Sequence, residues 1–357
     1  MTHANASTDL GTLLGLLDLE QIGEDAFRGY HPKQVGSRTF GGQLVSQALM
    51  AAGRTVDGDR PIHAVNAHFI RGGDVKAPID YRVERHRDGR AFANRQVTAY
   101  QGENELFVML AAFQDSGKGL DHAVEIPDVP LPESLPPIGD HLVGYEEKLP
   151  HFSAALKPID MRYANDPAWI LKGTGEKLNH NRVWMRPDGD LPDDSLIHAA
   201  TLAYSSDTTV LDSILTTHGL SWGHDRIVAA TVNHSIWFHR PFRFTDWVLY
   251  ATESPVAAGS RGLATGRYFS VEGLLLATVV QEGMIRHFPR KGNEKRAETE
   301  LGPRFKRTCD IAVRVRRLGP TETSRPRVHR VGPQQLPSPR ANRRRGRTPT
   351  LRLPSCG

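Results

Sequence analysis

The sequence predicts an α+β fold made of two tandem copies of one unit, each with a long central helix wrapped by an antiparallel β-sheet. A helix that is apolar or small on almost all sides precedes four strand candidates, the same order of elements begins again near Ile159, and short segments of the two halves match each other. A chain of 357 residues, 39 % of them apolar, can bury the cores that two such units need.

We place the first unit at residues 10–118. A short amphipathic helix is expected over residues 10–22. After Gly41 and Gly42, the segment QLVSQALMAAGRT is apolar or small almost all round, which is typical of a buried helix. The strand candidates that follow it, with turn signals between them, are 62–70, 79–85, 91–100 and 105–114. Consecutive hairpin strands after one buried helix indicate an antiparallel sheet around that helix.

Residues 119–156 are predicted to be a linker, because Pro, Gly and charged residues dominate there and IPDVPLPESLPP lies at the centre. One short helix is expected near residues 139–149. The linker separates the two predicted units.

The second unit is predicted at residues 157–289. An extended segment through Trp184 and Met185 precedes a helical stretch from about Ser195 through Ile214. The strand candidates that follow are 226–239, 247–254, 261–270 and 274–285.

The two units can be laid over each other by eye. HFIRGG matches WFHRPF around Arg71 and Arg240, and LAAFQ matches ATVVQ with Gln114 and Gln281 at their ends. The Arg-to-Gln spacing is 43 residues in the first unit and 41 in the second. Internal duplication explains this similarity with the fewest assumptions.

The net charge of +5 describes the tail and not the body of the chain. After residue 300 there are 15 basic and 2 acidic residues, so residues 1–300 hold 30 basic and 38 acidic residues, a net charge of −8. The tail, residues 290–357, is expected to be disordered, because it is rich in Arg and Pro and cannot bury enough apolar surface. Phe305 is its one aromatic residue, so no nucleic-acid partner is expected, since aromatic side chains are needed for stacking on bases. A read-through or frame-shifted end is the simpler hypothesis for the tail.

Both cysteines, Cys309 and Cys356, lie in the tail, which leaves the body without a disulfide framework, a thiolate metal site or a cysteine nucleophile. The apolar run near the N-terminus is interrupted by Gly15 and Asp18 and follows no Lys or Arg, so it does not resemble a secretory signal. No apolar stretch approaches the roughly 20 residues that span a bilayer. We expect a soluble, cytoplasmic protein.

The stretch from Ala203 to Gly219 predicts a helix with Ser205, Ser206 and Asp207 at its start. Asp207 could serve as an N-cap alone, because capping contributes roughly 1 kcal/mol without any further purpose. It could instead be a catalytic carboxylate, which the dipole at a helix N-terminus would hold in its ionised form.

Gln281 and Thr231 are the other candidates. Gln281 follows alternating apolar residues in LLLATVVQEG, so its amide is expected to be buried, and a buried amide without partners costs about 1–3 kcal/mol. It could bond to neighbouring backbone, or hold a polar group or water beside Asp207. Thr231 begins the polar side of the strand TVNHSIWFH, where a threonine alone is common.

Two other kinds of site are weaker hypotheses. Ser221 lies in GLSWG, which fits the nucleophile elbow G-x-S-x-G, but here a helix precedes the motif and a strand follows, the reverse of that elbow. The histidines His63 and His68 lie on one predicted strand and His234 and His239 on a separate one, without a ligand-spaced carboxylate, so core or rim positions are favoured over a metal site. We expect neither metal nor cofactor.

Several segments resemble one known family. LAYSSDTTVL, ATVNHSIWFHRPF and ATVVQEGMIRH look like the three signature segments of acyl-CoA thioesterase II, and RTFGGQLVSQAL, AVNAHFIRGGD and RDGRAFANRQVTAYQ resemble that family's first half. The match runs in order from about Leu13 to His287. The resemblance implies a double hotdog fold and the hydrolysis of acyl-CoA to free fatty acid and CoA without a covalent intermediate, within lipid metabolism.

The resemblance also implies the site. The family's catalytic Asp, Thr and Gln fall on Asp207, Thr231 and Gln281, with Asp207 as general base or orienting group and the other two fixing the attacking water. Amide donors for the oxyanion are expected around Gly41 and Gly42. In the first unit these glycines would take the place that Asp207 has in the second, which would leave the first unit's own acid site silent.

One departure concerns Thr208, Thr209 and Val210, where the family usually has a polar and then an aromatic residue, so no chain-length preference is carried over. The expected partner is the acyl-CoA substrate, and family grounds favour a homo-oligomer, either a dimer or a tetramer. The alternative functions are a non-catalytic acyl-CoA-binding hotdog protein and a serine hydrolase that uses Ser221.

Overall fold

A computed structural model of the protein describes residues 9–32, 38–58, 60–149 and 158–289. The tail predicted at 290–357 lies outside the described residues. Within the described ranges, no helix is both long enough and apolar enough to cross a membrane.

The first half contains the predicted buried helix and four-stranded sheet. Its elements are α1 (Asp9–Leu17), β1 (Glu20–Gly23), β2 (Ala26–Gly29), α2 (Gly41–Gly53), β3 (Ile62–Phe69), β4 (Ile79–Asp88), β5 (Phe92–Gln101) and β6 (Asn104–Gln114). The ends of β3 to β6 lie within three residues of the prediction. The β1–β2 hairpin was not predicted, and helix α1 ends before it, because the exposed four-residue strand β1 has no apolar alternation to signal it.

The connecting segment is bound to the second half along much of its length. A 3₁₀ turn at Pro132–Ser134 precedes the short helix α3 (Ile138–Leu142), which covers only the start of the predicted 139–149 helix. The indole of Trp184 donates a hydrogen bond of 2.9 Å to the Pro130 carbonyl. Ile126, Val129 and Leu135 pack against an apolar cluster around Trp184. This segment is therefore a strap on the second half, and the predicted boundaries of the units and linker stay predictions.

The second half repeats the order of a helix followed by an antiparallel sheet. Its elements are β7 (Ile159–Tyr163), α4 (Ala168–Thr174), β8 (His180–Pro187), α5 (Ser195–Ser206), α6 (Asp212–Thr217), β9 (Ile227–Phe238), β10 (Val248–Ala258), β11 (Arg261–Ser270) and β12 (Leu275–His287). The single helical stretch predicted from Ser195 through Ile214 is two helices, α5 and α6, separated by residues 207–211.

All of these strands form one twelve-stranded antiparallel sheet, in the order β1-β2-β4-β5-β6-β3-β9-β12-β11-β10-β8-β7. The halves join in the middle, where β3 pairs with β9 and Asn66 lies opposite Ser235. The Asn66 amide donates a hydrogen bond of 3.0 Å to the Ser235 hydroxyl. The structure thus places the two helix-plus-sheet halves side by side in one continuous sheet.

Helices α2 and α5 pack against each other in opposite directions. A methyl group added at Gly42 would lie 2.5 Å from the Tyr204 carbonyl oxygen, and one added at Gly53 would lie 2.4 Å from the Leu196 side chain. The start of each helix therefore meets the end of the other. Two clefts result, one at each end of the helix pair.

The position of Asp207 differs from the prediction. Asp207 is the C-cap of α5 and lies at the end of that helix, not at the start of one. The Ser205 hydroxyl donates to the Leu202 carbonyl, one turn back, and the Ser206 hydroxyl lies 2.8 Å from the Ala203 carbonyl, so neither hydroxyl caps a free amide. Serine and aspartate are compatible with either end of a helix, so the local pattern could not show that Asp207 ends one helix and does not begin another.

The predicted equivalence of Gln114 and Gln281 is wrong in register. His234 precedes Ser235 on β9 and pairs with Gln281. The residue in the same place of the first half is Val65, which precedes Asn66 on β3 and pairs with Ala111. Ala111, and not Gln114, therefore holds the position of Gln281. The match of Arg71 with Arg240 is consistent with the fold, since each follows the phenylalanine that ends β3 or β9.

Candidate active site

The first of the two clefts lies where the start of α2 meets the end of α5. It contains a cavity of about 390 Å³. Asp207 and Thr231 line the cavity together with the first turn of α2. Its apolar wall includes Leu44, Phe69, Leu211 and Trp222, and two arginines, Arg38 and Arg71, lie on its exposed side.

The side chains of Asp207, Thr231 and Gln281 are brought together here from three separate elements. The Gln281 amide nitrogen donates to Asp207 Oδ1 at 2.8 Å and to Thr231 Oγ1 at 3.1 Å. Thr231 Oγ1 in turn donates to the same carboxylate oxygen at 3.3 Å. One oxygen of the carboxylate is thereby held by two neutral donors.

The other carboxylate oxygen is held by the first half of the chain. The Gly42 backbone amide donates a hydrogen bond of 2.9 Å to Asp207 Oδ2. Phe40, the N-cap of α2, makes no side-chain cap, so Asp207 satisfies an amide that the helix leaves without an internal acceptor. A side chain at Gly41 would clash, because its Cβ would lie 2.5 Å from Asp207 Oδ2. Glycine at position 41 is therefore what allows the carboxylate to reach the helix.

The predicted correspondence between the glycines and Asp207 is wrong. Helices α2 and α5 are equivalent, so Gly41, the first residue of α2, matches Ser195, the first residue of α5. The C-cap Asp207 matches Arg54, the C-cap of α2. The glycines at the start of α2 and the acid at the end of α5 meet at one cleft. They do not hold equivalent positions in the two halves.

Opposing effects set the ionisation of Asp207. Burial raises the pKa of its carboxyl above the ordinary value. The charge of His234 and the hydrogen bonds from Gln281, Thr231 and the Gly42 amide all act in the opposite direction. The start of α2 adds the positive end of a helix dipole. Because its pKa is raised, the Asp207 carboxylate is a stronger base than a solvated aspartate. It is ionised at pH values above that pKa.

Gln281 lies behind the other two residues. Its side chain is fully buried and does not line the cavity. Its carbonyl oxygen is hydrogen-bonded to Nδ1 of His234, and Nε2 of His234 lies 2.8 Å from the Ser206 hydroxyl. The sequence pattern favours a core or rim position for His234 and does not link it to the site. The pairing of β9 with β12, had it been derived, would have placed His234 beside Gln281.

A second buried carboxyl supports the apolar wall. Asp212 Oδ1 accepts a hydrogen bond of 2.7 Å from the indole of Trp222. Burial raises the pKa of Asp212 to about 7, and the bond from Trp222 opposes the shift. Asp212 therefore fixes the orientation of an aromatic ring that faces the cavity.

The structure does not assemble the alternative sites. The Ser221 hydroxyl is buried and donates to the neighbouring Trp222 carbonyl at 2.9 Å, and its backbone amide donates to Asp225. A helix, α6, precedes Ser221 and a strand, β9, follows it. Among the described residues, no group of three or more His, Cys, Asp or Glu could hold a metal ion.

Two family models match the chain. One, described as acyl-CoA thioesterase, matches residues 152–284, and the other, described as acyl-CoA thioesterase N-terminal domain, matches residues 31–114. The chain is 37 % identical to acyl-coenzyme A thioesterase 8 of Rattus norvegicus over 314 residues, which cover 82 % of this chain and 97 % of the relative. It is 38 % identical to acyl-CoA thioesterase 2 of Haemophilus influenzae over 283 residues, covering 78 % of this chain and 98 % of that one.

Solved structures show the same fold. A tesB protein from Mycobacterium avium subs paratuberculosis superposes with a TM-score of 0.66 at 30 % identity, covering 79 % of this chain and all of that one. The acyl-CoA thioesterase II TesB2 from Mycobacterium marinum gives 0.64 at 35 % identity, covering 78 % of this chain and 98 % of that one. A hot dog fold protein from Alicyclobacillus acidocaldarius gives 0.62 at 21 % identity, covering 78 % and 99 %, a likeness in fold alone.

Proposed function

Since this chain belongs to the acyl-CoA thioesterase II family and is a thioester hydrolase, we propose that it hydrolyses acyl-CoA at the first cleft, where the start of α2 meets the end of α5. The observation that carries the proposal is the Asp207 carboxylate, which faces the cavity and is held by Thr231, Gln281 and the Gly42 amide. A carboxylate that is held in a fixed orientation at a cavity is suited to activate water.

In the proposed reaction, water bound between Asp207 and Thr231 attacks the thioester carbonyl carbon. Asp207 accepts one proton of the water as the new carbon–oxygen bond forms. The tetrahedral intermediate then collapses with cleavage of the carbon–sulfur bond, and the proton on Asp207 passes to the departing thiolate. The products are the free acid and CoA, and no group of the protein becomes acylated. Gln281 keeps Asp207 and Thr231 in place from behind.

We assign the developing oxyanion to the Gly41 amide. Gly41 lines the cavity, and as the first residue of α2 it has no acceptor within the helix. The Gly42 amide, which sequence reasoning also placed on the substrate, is already bound to Asp207. Its role in this proposal is to hold the base.

The cleft has the polarity that an acyl-CoA requires. The apolar wall with Leu44, Phe69 and Trp222 fits an acyl chain, and the exposed Arg38 and Arg71 fit the phosphates of CoA. A non-catalytic protein that only binds acyl-CoA would need the same apolar wall and arginines. Turnover therefore decides between a thioesterase and a binding protein.

We propose that the chain is a double hotdog, with units at 10–118 and 157–289, and that it acts in lipid metabolism in the cytoplasm. A homo-oligomer, dimer or tetramer, stays a prediction on family grounds.

The test combines thiol release with mass spectrometry. Acyl-CoAs of rising chain length should each be assayed for free thiol, and the protein should be quenched in acid during turnover and weighed. We expect thiol release, an unmodified protein mass, and full activity in Ser221→Ala. CoA binding without thiol release would instead indicate the non-catalytic protein, and an acylated mass that disappears in Ser221→Ala would indicate the serine hydrolase.

A further inference from the structure

His234 is a fully buried histidine that touches the candidate site only through Gln281. It lies on β9 directly opposite Gln281 on β12. Its Nδ1 is hydrogen-bonded to the Gln281 carbonyl oxygen, and its Nε2 lies 2.8 Å from the Ser206 hydroxyl. His234 does not line the cavity, so it has no direct route to a substrate.

The orientation of the Gln281 amide is decided by what surrounds it. Its nitrogen carries two hydrogens, and these point to Asp207 Oδ1 at 2.8 Å and Thr231 Oγ1 at 3.1 Å. If the amide group of Gln281 were rotated by half a turn, its carbonyl oxygen would lie 2.8 Å from Asp207 Oδ1. Both of these oxygens are acceptors, so they would repel each other. The oxygen must therefore face His234, and Nδ1 of His234 must carry a hydrogen.

Ser206 is compatible with this tautomer in either charge state of the ring. Its hydroxyl lies 2.8 Å from His234 Nε2 and 2.8 Å from the Ala203 carbonyl. With a neutral ring, the hydroxyl donates to Nε2. With a charged ring, Nε2 donates to the hydroxyl, which donates to Ala203. In both cases the hydrogen on Nδ1 stays directed at Gln281.

The equivalent place in the first half has no such pair. There Val65 takes the position of His234 and Ala111 the position of Gln281. Both replacements are apolar, and the acid is replaced by Arg54. Of these two equivalent places, the one beside the carboxylate holds a His–Gln pair and the other does not, which ties this pair to the chemistry and not to a general need of the sheet.

We propose that His234, held by Ser206, is a positioning residue that locks the Gln281 amide, so that both of its hydrogens are directed at Asp207 and Thr231. Without that lock the amide would rotate, and the base would lose its alignment with the water. His234 does not exchange a proton with the substrate in this role. Burial lowers the pKa of His234, although the charge of Asp207 opposes this, which agrees with a ring that acts as a fixed donor. The inference rests on the function proposed above.

The closest matched test compares His234→Asn with His234→Leu. The two side chains have nearly the same shape, and the Asn amide can place a donor near the position of Nδ1, whereas Leu cannot. We expect His234→Leu to lower kcat about 30- to 100-fold with KM within about threefold of the wild type, and His234→Asn to recover at least tenfold of that loss. Equal activity of the two variants, or wild-type activity of His234→Leu, would overturn the lock.

A double-mutant comparison separates this inference from the proposed function. In a Gln281→Ala background, His234→Leu should add less than about a twofold further loss of kcat, because the group that it positions is gone. A full additional loss would overturn the inference. The proposed function would fail if the wild-type protein released no thiol, and a Gln281→Ala variant with wild-type activity would refute the role of Gln281 and the lock with it. An inactive Gln281→Ala with a fully active His234→Leu would refute only the lock.

Ser206→Ala provides a second route if the His234 variants do not fold. It removes one small hydroxyl and leaves Nδ1 and Gln281 untouched. We expect kcat to fall about three- to tenfold with an unchanged KM, and the thermal midpoint to fall as well, because the buried Nε2 of His234 loses its partner. An unchanged kcat would show that the ring needs no support from Ser206 and would contradict the proposed chain of contacts.

Discussion

The two clefts at opposite ends of the α2–α5 pair have the same construction, but a carboxylate at a helix end lines the first cleft and none lines the second at the corresponding place. In each, the start of one helix meets the end of the other beside a loop that carries Arg71 or Arg240. The end of α5 supplies Asp207 to the first cleft, whereas Arg54, at the end of α2, does not line the second cleft. Its guanidinium donates to the Leu19 carbonyl at 2.6 Å and pairs with Asp18. The second cleft is larger, about 740 Å³ against 390 Å³, so volume does not identify the reactive one.

The starts of the two helices differ in a complementary way. Helix α5 is capped locally, because the Asp194 carboxylate accepts a hydrogen bond of 2.8 Å from the Leu196 amide. Helix α2 has no local cap, and Gly42 donates to Asp207 of the other half. A missing cap in one half is thus satisfied by an acid from the other. We conclude that the proposed site is shared, with its helix start from the first half and its polar side chains from the second.

The largest effect among the predictions that probe this sharing is expected from Gly42→Ala. The added methyl would lie 2.5 Å from the Tyr204 backbone carbonyl, which cannot rotate away, so the first turn of α2 must move off Asp207. A hydrogen bond to a charged group is worth about 1.5–3 kcal/mol, so kcat/KM should fall about 10- to 100-fold in a thiol-release assay.

The control is the same substitution at the other end of the same helix. In Gly53→Ala the new methyl would meet the side chain of Leu196, which can shift, and that end faces the second cleft. A lower thermal midpoint with kcat/KM within about twofold of the wild type is expected. Equal losses of activity in the two variants would mean that the helix matters only for folding.

The sequence pattern predicts the strands of the sheet, but it does not predict how the two halves of the sheet pair with each other. Alternating apolar residues placed β3 to β6 within three residues, because each strand buries one face. The positions of Asp207 and Gln281 relative to the first half depend on β3 pairing with β9 and on α2 packing against α5, contacts between residues more than 100 positions apart in the chain. Local spacing does not predict such contacts. The prediction therefore placed Asp207 at the wrong end of a helix and matched Gln114, instead of Ala111, with Gln281.

A smaller effect is expected in the pH dependence of kcat/KM. Asp207 must be ionised to accept a proton, and burial raises its pKa above the ordinary 3.8. Activity should therefore fall as pH decreases through that raised pKa, about tenfold per unit below it, with a midpoint above 3.8. The rate should be followed at pH values where circular dichroism shows the protein to be folded.

Asp212 offers the control for that profile, because its pKa is also raised, to about 7. Asp212→Asn should keep the acid limb, since Asp212 supports Trp222 and does not touch Asp207. A limb that vanished in Asp212→Asn, or one with a midpoint at or below 3.8, would assign the titration to another group.

The central claim, that one acid at one cleft carries the reaction, is tested most directly by the thiol-release kcat of Asp207→Asn beside that of Arg54→Gln. We predict a loss of at least about 10³-fold for Asp207→Asn and a change within about twofold for Arg54→Gln. Circular dichroism should confirm that Asp207→Asn is folded, because its amide nitrogen would face an N–H donor at one of the two places where Asp207 now accepts from Gly42 and Gln281. A folded Asp207→Asn that kept half or more of the wild-type kcat would contradict the account.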